Sequence, residues 1–124
     1  QRVDVRLLGT FSVAVDGAEL PPSVWPQRRA ADLVKLLALT PGHRLPRDAV
    51  LEALWPHLEP QAAASSLHKA AHYARRALGS RDGLVLVGGV VALAPGAEVR
   101  TDVERFEAGD DDAYAGDLLP DDRY

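Results

Sequence analysis

Residues 65–78 read SSLHKAAHYARRAL, and residues 83–93, a few positions on, read GLVLVGGVVAL. These two stretches decide the fold. In the first, Leu67, Ala71, Ala74 and Leu78 recur at helical spacing. Set at 100° per residue from Ser65, they fall between roughly 180° and 240°. Ser65, Lys69, His72 and Arg76 gather on the opposite side, with His68 and Arg75 at one edge of it and Tyr73 and Ser66 at the other. The pattern predicts a helix from about Gln61 to Leu78, capped at its end by Gly79. In the second stretch, two β-rich runs flank Gly88-Gly89, the mark of a hairpin.

Working outward, HRLPRDAVLEALW predicts a short extended piece and then a helix. Val50, Leu51, Leu54 and Trp55 share one face of that helix, and Pro56 ends it. RRAADLVKLLALT predicts a helix over roughly 27–40, too apolar for a surface helix and therefore central, stopped by Pro41-Gly42. At the N-terminus, Val3, Val5 and Leu7 alternate with Asp4 and Arg6, and Phe11, Val13 and Val15 alternate likewise, so two strands are expected there. Asp16-Gly17 is a hairpin signal, because a tight turn of that kind needs positive φ. TDVERFEAG suggests a short helix capped by Thr101 or Asp102. The predicted class is α+β: an N-terminal antiparallel sheet, a three-helix core and a C-terminal β-hairpin, which is a winged helix-turn-helix.

The chain has 124 residues, enough for one domain with a hydrophobic core. It contains no Cys, which excludes disulfides and thiolate metal sites and fits a reducing cytosol. No apolar run approaches the ~20 residues of a membrane span. It also contains no Met, which suggests a piece of a longer polypeptide. The net charge of −4 conceals a segregation. Residues 1–97 carry 11 Lys+Arg against 8 Asp+Glu, whereas residues 98–124 carry 3 Arg against 10 Asp+Glu. From Pro60 to Arg81 there is no acid at all, although Lys69, Arg75, Arg76 and Arg81 are present.

That acid-free face suits nucleic acid. Lys and Arg neutralise phosphates, Ser and Tyr donate to phosphate oxygens, and Arg, Lys, His or Ser reach base edges in a major groove that admits an α-helix. Solvated surface helices usually interleave Glu with Lys, and this one has no Glu.

The stretches VRLLGTFSVAVDGAEL, QRRAADLVKLLALTPGHRLPRDAVLEALWP, AAASSLHKAAHYARRALG and TDVERFEA together resemble the OmpR/PhoB-type winged-helix domain, in the form found in SARP-like bacterial transcriptional regulators. The resemblance spans nearly the whole chain. YAGDLLPDDRY is similar to the opening of a bacterial transcriptional activator domain (BTAD), so residues 1–97 would be the DNA-binding domain and 98–124 an acidic segment leading toward a BTAD-like domain. The resemblance implies that helix 61–78 enters the major groove of double-stranded DNA and that the hairpin is a wing over the adjacent minor groove. It implies that Ser65 and Ser66 face the DNA backbone, that His68, Lys69, His72 and Tyr73 lie on the groove face, and that Arg75 contacts phosphate. Trp55 matches a Trp that packs at the phosphate-facing turn. The loop 56–61 matches a segment that touches RNA polymerase in relatives, and two copies would sit head to tail on direct repeats. Arg76 joins Arg75 as a candidate phosphate contact from its place on the basic face. At the wing end this chain has GGVVAL, where many relatives carry an aromatic and an Arg.

Other motifs carry less. His68 and His72 have the i, i+4 spacing of zinc ligands, but the metalloprotease motif needs Glu where Lys69 stands, and no third ligand is apparent. Gly88-Gly89 precedes apolar strand rather than a helix and no GK[ST] follows, so a phosphate loop is not indicated. Arg28 and Arg29 sit at the start of a helix, against its dipole. They answer either to an anionic partner or to ordinary surface charge. No nucleophile–base–acid set and no paired carboxylates stand out, so no enzyme, cofactor or metal is assigned. The rival to DNA binding is a winged-helix module for protein–protein contact in a multidomain signalling protein, which the bare wing and the acidic balance favour.

Overall fold

The computed structural model describes residues 1–25 and 27–107. In chain order the strands and helices are β1 (Arg2–Arg6), β2 (Ser12–Val15), β3 (Ala18–Glu19), α1 (Arg28–Leu39), β4 (Arg44–Pro46), α2 (Arg47–Leu54), α3 (Pro60–Leu78), β5 (Leu84–Val87), β6 (Val90–Leu93), β7 (Glu98–Thr101) and α4 (Asp102–Glu107). The class is α+β, as the hydrophobic patterning predicts. None of the described helices is long and apolar enough to cross a membrane. The chain divides into two compact units, Gln1–Pro22 with the segment from Gly96 onward, and Ser23–Pro95.

The first unit is built on a four-stranded sheet in the order β3-β2-β1-β7. β1 and β2 run antiparallel with Val3 opposite Val15 and Val5 opposite Val13. Val3, Val5 and Val13 are buried, so the period-2 alternation seen in the sequence is the alternation of the sheet faces. Asp16 and Gly17 both have positive φ and close the β2–β3 hairpin, and Asp16 Oδ1 also accepts the Arg2 N–H at 2.8 Å.

Strand β7 is new relative to the sequence reading. It pairs parallel to β1, with Val3 opposite Val99 and Val5 opposite Thr101. Two of its four residues are charged, which hides the strand from a hydrophobic pattern. Just beyond it, the Asp102 carboxylate is 8 % exposed and accepts two backbone N–H groups, Leu7 at 2.8 Å and Leu8 at 3.0 Å. Those amides lie past the end of β1, and the carboxylate takes both of them. The cap of α4 falls to Thr101: its Oγ accepts the Glu104 N–H at 3.0 Å, and its hydroxyl donates to Glu104 Oε1 at 3.0 Å. This is a capping box in which the hydroxyl takes both roles. Sequence alone left Thr101 and Asp102 as alternative caps. The structure gives Asp102 the longer-range task.

The second unit holds α1, α2 and α3 and a three-stranded antiparallel sheet in the order β4-β6-β5. Helix α1 buries Ala30, Ala31, Leu33, Val34, Leu37 and Ala38, and is central as its composition predicts. It packs against α3. The buried face of α3 is Ala63, Leu67, Ala70, Ala71, Ala74, Ala77 and Leu78. Alanines dominate it, so the two helices approach with little side chain between them. Leu67, Ala71, Ala74 and Leu78 belong to the seam expected from the 100° map, and Ala63, Ala70 and Ala77 widen it. Gly79 ends α3 in the left-handed region, with φ 71°.

Strands β5 and β6 form a hairpin with Val87 opposite Val90, turning on Gly88 and Gly89, whose φ values are 61° and 75°. A two-residue turn with both φ positive matches the twist of the flanking strands, and glycine takes it without steric cost. Pro46 sits in β4 at the sheet edge, where its missing N–H leaves no ladder bond unmade.

Candidate nucleic-acid interface

The side of α3 opposite its buried seam is open. Ser65, His68, Lys69, His72 and Arg76 are all exposed, and Ser66, Tyr73 and Arg75 are half-buried along the edges. No carboxylate lies on the helix between its N-cap, Glu59, and its C-terminus. The structure therefore brings eight of the nine candidate residues onto one helix surface. The ninth, Trp55, is the C-cap of α2 and is only 6 % exposed. Its burial makes it a packing residue, with almost no ring surface left to meet a ligand.

The candidates differ in freedom. Lys69 and Arg76 are exposed cations with no acidic partner among the described residues. Arg75 is committed: its Nε donates to the Leu84 carbonyl at 2.7 Å, tying α3 to the first strand of the hairpin. A charge-assisted bond of this kind fixes the orientation of the guanidinium and leaves its outer nitrogens as the free donors. Arg75 and Arg76 also lie in the last turn of α3, where the helix dipole favours cations. Part of their presence is therefore explained without any ligand, and Lys69, in mid-helix, has no such explanation. His72 and Tyr73 meet edge to face, with ring centroids 5.5 Å apart. That contact limits the rotamers of both rings on the exposed side. Ser23, Val24, Tyr73, Arg76 and Ala77 line a groove of about 260 Å³ along the C-terminal half of the helix.

Arg28 and Arg29, left open by the sequence, have an acid within their own helix. Asp32 is buried, with Arg29 at 3.0 Å and Arg28 and Lys35 each at 3.9 Å. The carboxylate gives Arg29 a close partner and lies within reach of Arg28 and Lys35, although it balances only one of the three positive charges. Among the described residues no group of three His, Asp or Glu side chains could hold a metal, so His68 and His72 find no third ligand there.

One residue near this surface escapes a reading of the sequence. Arg47 opens α2, its backbone N–H donates to Gly89 O at 2.8 Å, and its Nε is buried with no hydrogen-bond partner. The only local signal was a cation at the positive end of a helix, the signal that at Arg28 and Arg29 led to Asp32. No protein-family model matches this chain, and no curated protein matches it in sequence.

Proposed function

We propose that this chain contains a winged helix-turn-helix module that binds double-stranded DNA, with α3 in the major groove, as part of a bacterial transcriptional regulator. One observation carries the reading. In a chain of net charge −4, the exposed side of α3 displays Ser65, His68, Lys69, His72 and Arg76 without a single carboxylate. Water imposes no such exclusion, whereas phosphate favours cations and repels carboxylates on the face that meets it. The arrangement of helices and sheet in the second unit supports the same reading: α2 precedes α3, and the β5–β6 hairpin follows it at once, the order expected of a helix-turn-helix with its wing. Lys69, Arg76 and the outer nitrogens of Arg75 supply phosphate contacts, while His72 reaches base edges. In this proposal the segment 56–61, the loop before α3 together with the first residues of that helix, is the surface for RNA polymerase, and two copies bind direct repeats.

A second reading, a module for protein–protein contact, draws on the wing. Strands β5 and β6 carry no cation, and Val87 beside the turn is 69 % exposed. Amide NMR titration with a random 16-base-pair duplex at low and moderate salt separates the two. DNA binding through α3 requires shifts concentrated on Ser65–Arg76 that weaken as salt rises. Silent α3 amides at low salt overturn the proposal and leave the protein-contact reading.

A further inference from the structure

A concavity of about 150 Å³ lies between the start of α2, the edge of α3 and the hairpin turn, lined by Arg47, His68, Leu86, Val87, Gly88, Gly89, Val90 and Val91. That is well above the ~10–15 Å³ one water needs. Three features of its wall point to an anion. First, the Arg47 Nε is buried and has no acceptor among the described residues. A guanidinium donor closed off from water and left unbonded is unusual, since buried polar groups nearly always find partners. Second, Arg47 is the first residue of α2, where the helix dipole repels a cation. The acid of that turn, Asp48, is exposed and takes no part in lining the concavity. Third, among the described residues the only other titratable side chain in the wall is His68, which can donate from a ring nitrogen, and none of them is a carboxylate.

The remaining wall fits this chemistry. Leu86, Val87, Val90 and Val91 make it apolar, which strengthens the attraction between a guanidinium and an anion relative to open water. Gly88 and Gly89 put no side chain across the mouth, and a Cβ built on either would meet nothing within 4 Å. The Arg47 N–H to Gly89 O bond holds the two sides of the concavity together.

We infer that this concavity is a site for a single tetrahedral oxyanion, a phosphate group held by the Arg47 fork and His68. The group has two possible sources with the same chemistry: free phosphate or a small phosphomonoester, and a phosphodiester of a bound duplex. The site does not depend on α3 acting as the DNA reader, and the test keeps the two apart.

The experiment follows Arg Nε–H and backbone amide resonances of the chain during titration with inorganic phosphate, with chloride at equal ionic strength as control, and separately with the random duplex. Saturable movement of the Arg47 Nε–H together with Gly88 and Gly89 is expected. Movement with inorganic phosphate assigns a small-ligand site. Movement with the duplex alone assigns a backbone phosphate, and Arg47→Gln should then lower the salt dependence of duplex binding by about one contact. Arg47→Gln, which keeps the backbone bond to Gly89, should abolish the response, and His68→Gln should weaken it. If neither titrant moves Arg47 Nε–H, Gly88 and Gly89, or chloride moves them equally, the inference is wrong, whatever Ser65–Arg76 do. If phosphate moves them while α3 ignores the duplex, the oxyanion site stands and the DNA reading falls.

Discussion

The sharpest consequence of the α3 surface concerns salt. Lys69 and Arg76 are the exposed cations on that helix, and Arg75 is half-buried and bonded to Leu84 O. For duplex DNA each neutralised phosphate contributes about −0.9 to the slope of log K against log salt. Over a fourfold rise, from 50 to 200 mM, that is about a 3.5-fold loss of affinity per contact. If Lys69 and Arg76 each neutralise one phosphate, they account together for a slope of about −1.8 and a loss of about 12-fold over that range. The double substitution Lys69→Ala, Arg76→Ala should therefore make the slope less steep by about 1.8, in addition to lowering affinity at any one salt concentration. Both side chains are exposed, so the fold should survive, and circular dichroism checks that it does. The assay is fluorescence anisotropy of a labelled 16-base-pair duplex at four or more salt concentrations. A double variant whose slope matches that of the parent would refute the reasoning, because it would mean that neither cation meets a phosphate. A single Lys69→Ala variant separates the pair: since Arg76 has the helix dipole as an independent reason to be where it is, Lys69 is the stricter test of the DNA reading.

Three further predictions concern the framework that holds these surfaces. Asp102→Ala should strand the buried Leu7 and Leu8 amides and cost about 2–6 kcal/mol, at roughly 1–3 kcal/mol per unsatisfied group; an unchanged urea midpoint would show that water or another acceptor replaces the carboxylate. Ala71→Leu places a large side chain in the fully buried seam of α3 and should cost about 1–3 kcal/mol through overpacking, read as a lower thermal midpoint. A midpoint equal to the parent's would mean that the seam has slack the structure does not show. Thr101→Val removes both halves of the α4 cap and should cost about 1 kcal/mol, with amide exchange at Glu104 accelerated; protection unchanged at Glu104 would count against the capping box.

Several features of this protein could be drawn from the sequence because they depend on short spacings. The seam of α3 follows from residues three and four apart, its end from one glycine, and the hairpins from Asp16-Gly17 and Gly88-Gly89 between alternating strands. The acid-free stretch from Pro60 to Arg81 is a fact of composition, and once the helix is placed it becomes a surface. Each of these is decided within a few residues by backbone sterics and the helical or strand period.

The remaining features join residues far apart in the chain. Strand β7 lies beside β1 because its backbone pairs there, and nothing in Glu-Val-Arg-Thr announces that partner. Asp102 satisfies amides 95 and 94 positions away in the chain, so its local role as a possible helix cap gave no hint of the task it performs. Arg75 and Arg76 are adjacent in sequence and equal in charge, yet one is tied to the Leu84 carbonyl and the other is exposed with no acidic partner among the described residues. Arg28 and Arg47 both open helices as cations. Arg28 has Asp32 one turn on, whereas Arg47 bonds through its backbone N–H to Gly89 of the hairpin turn and lines a concavity, with no acidic partner among the described residues. Charge and periodicity are written along the chain, but whether a charge is already satisfied depends on which groups folding brings within about 3 Å of it.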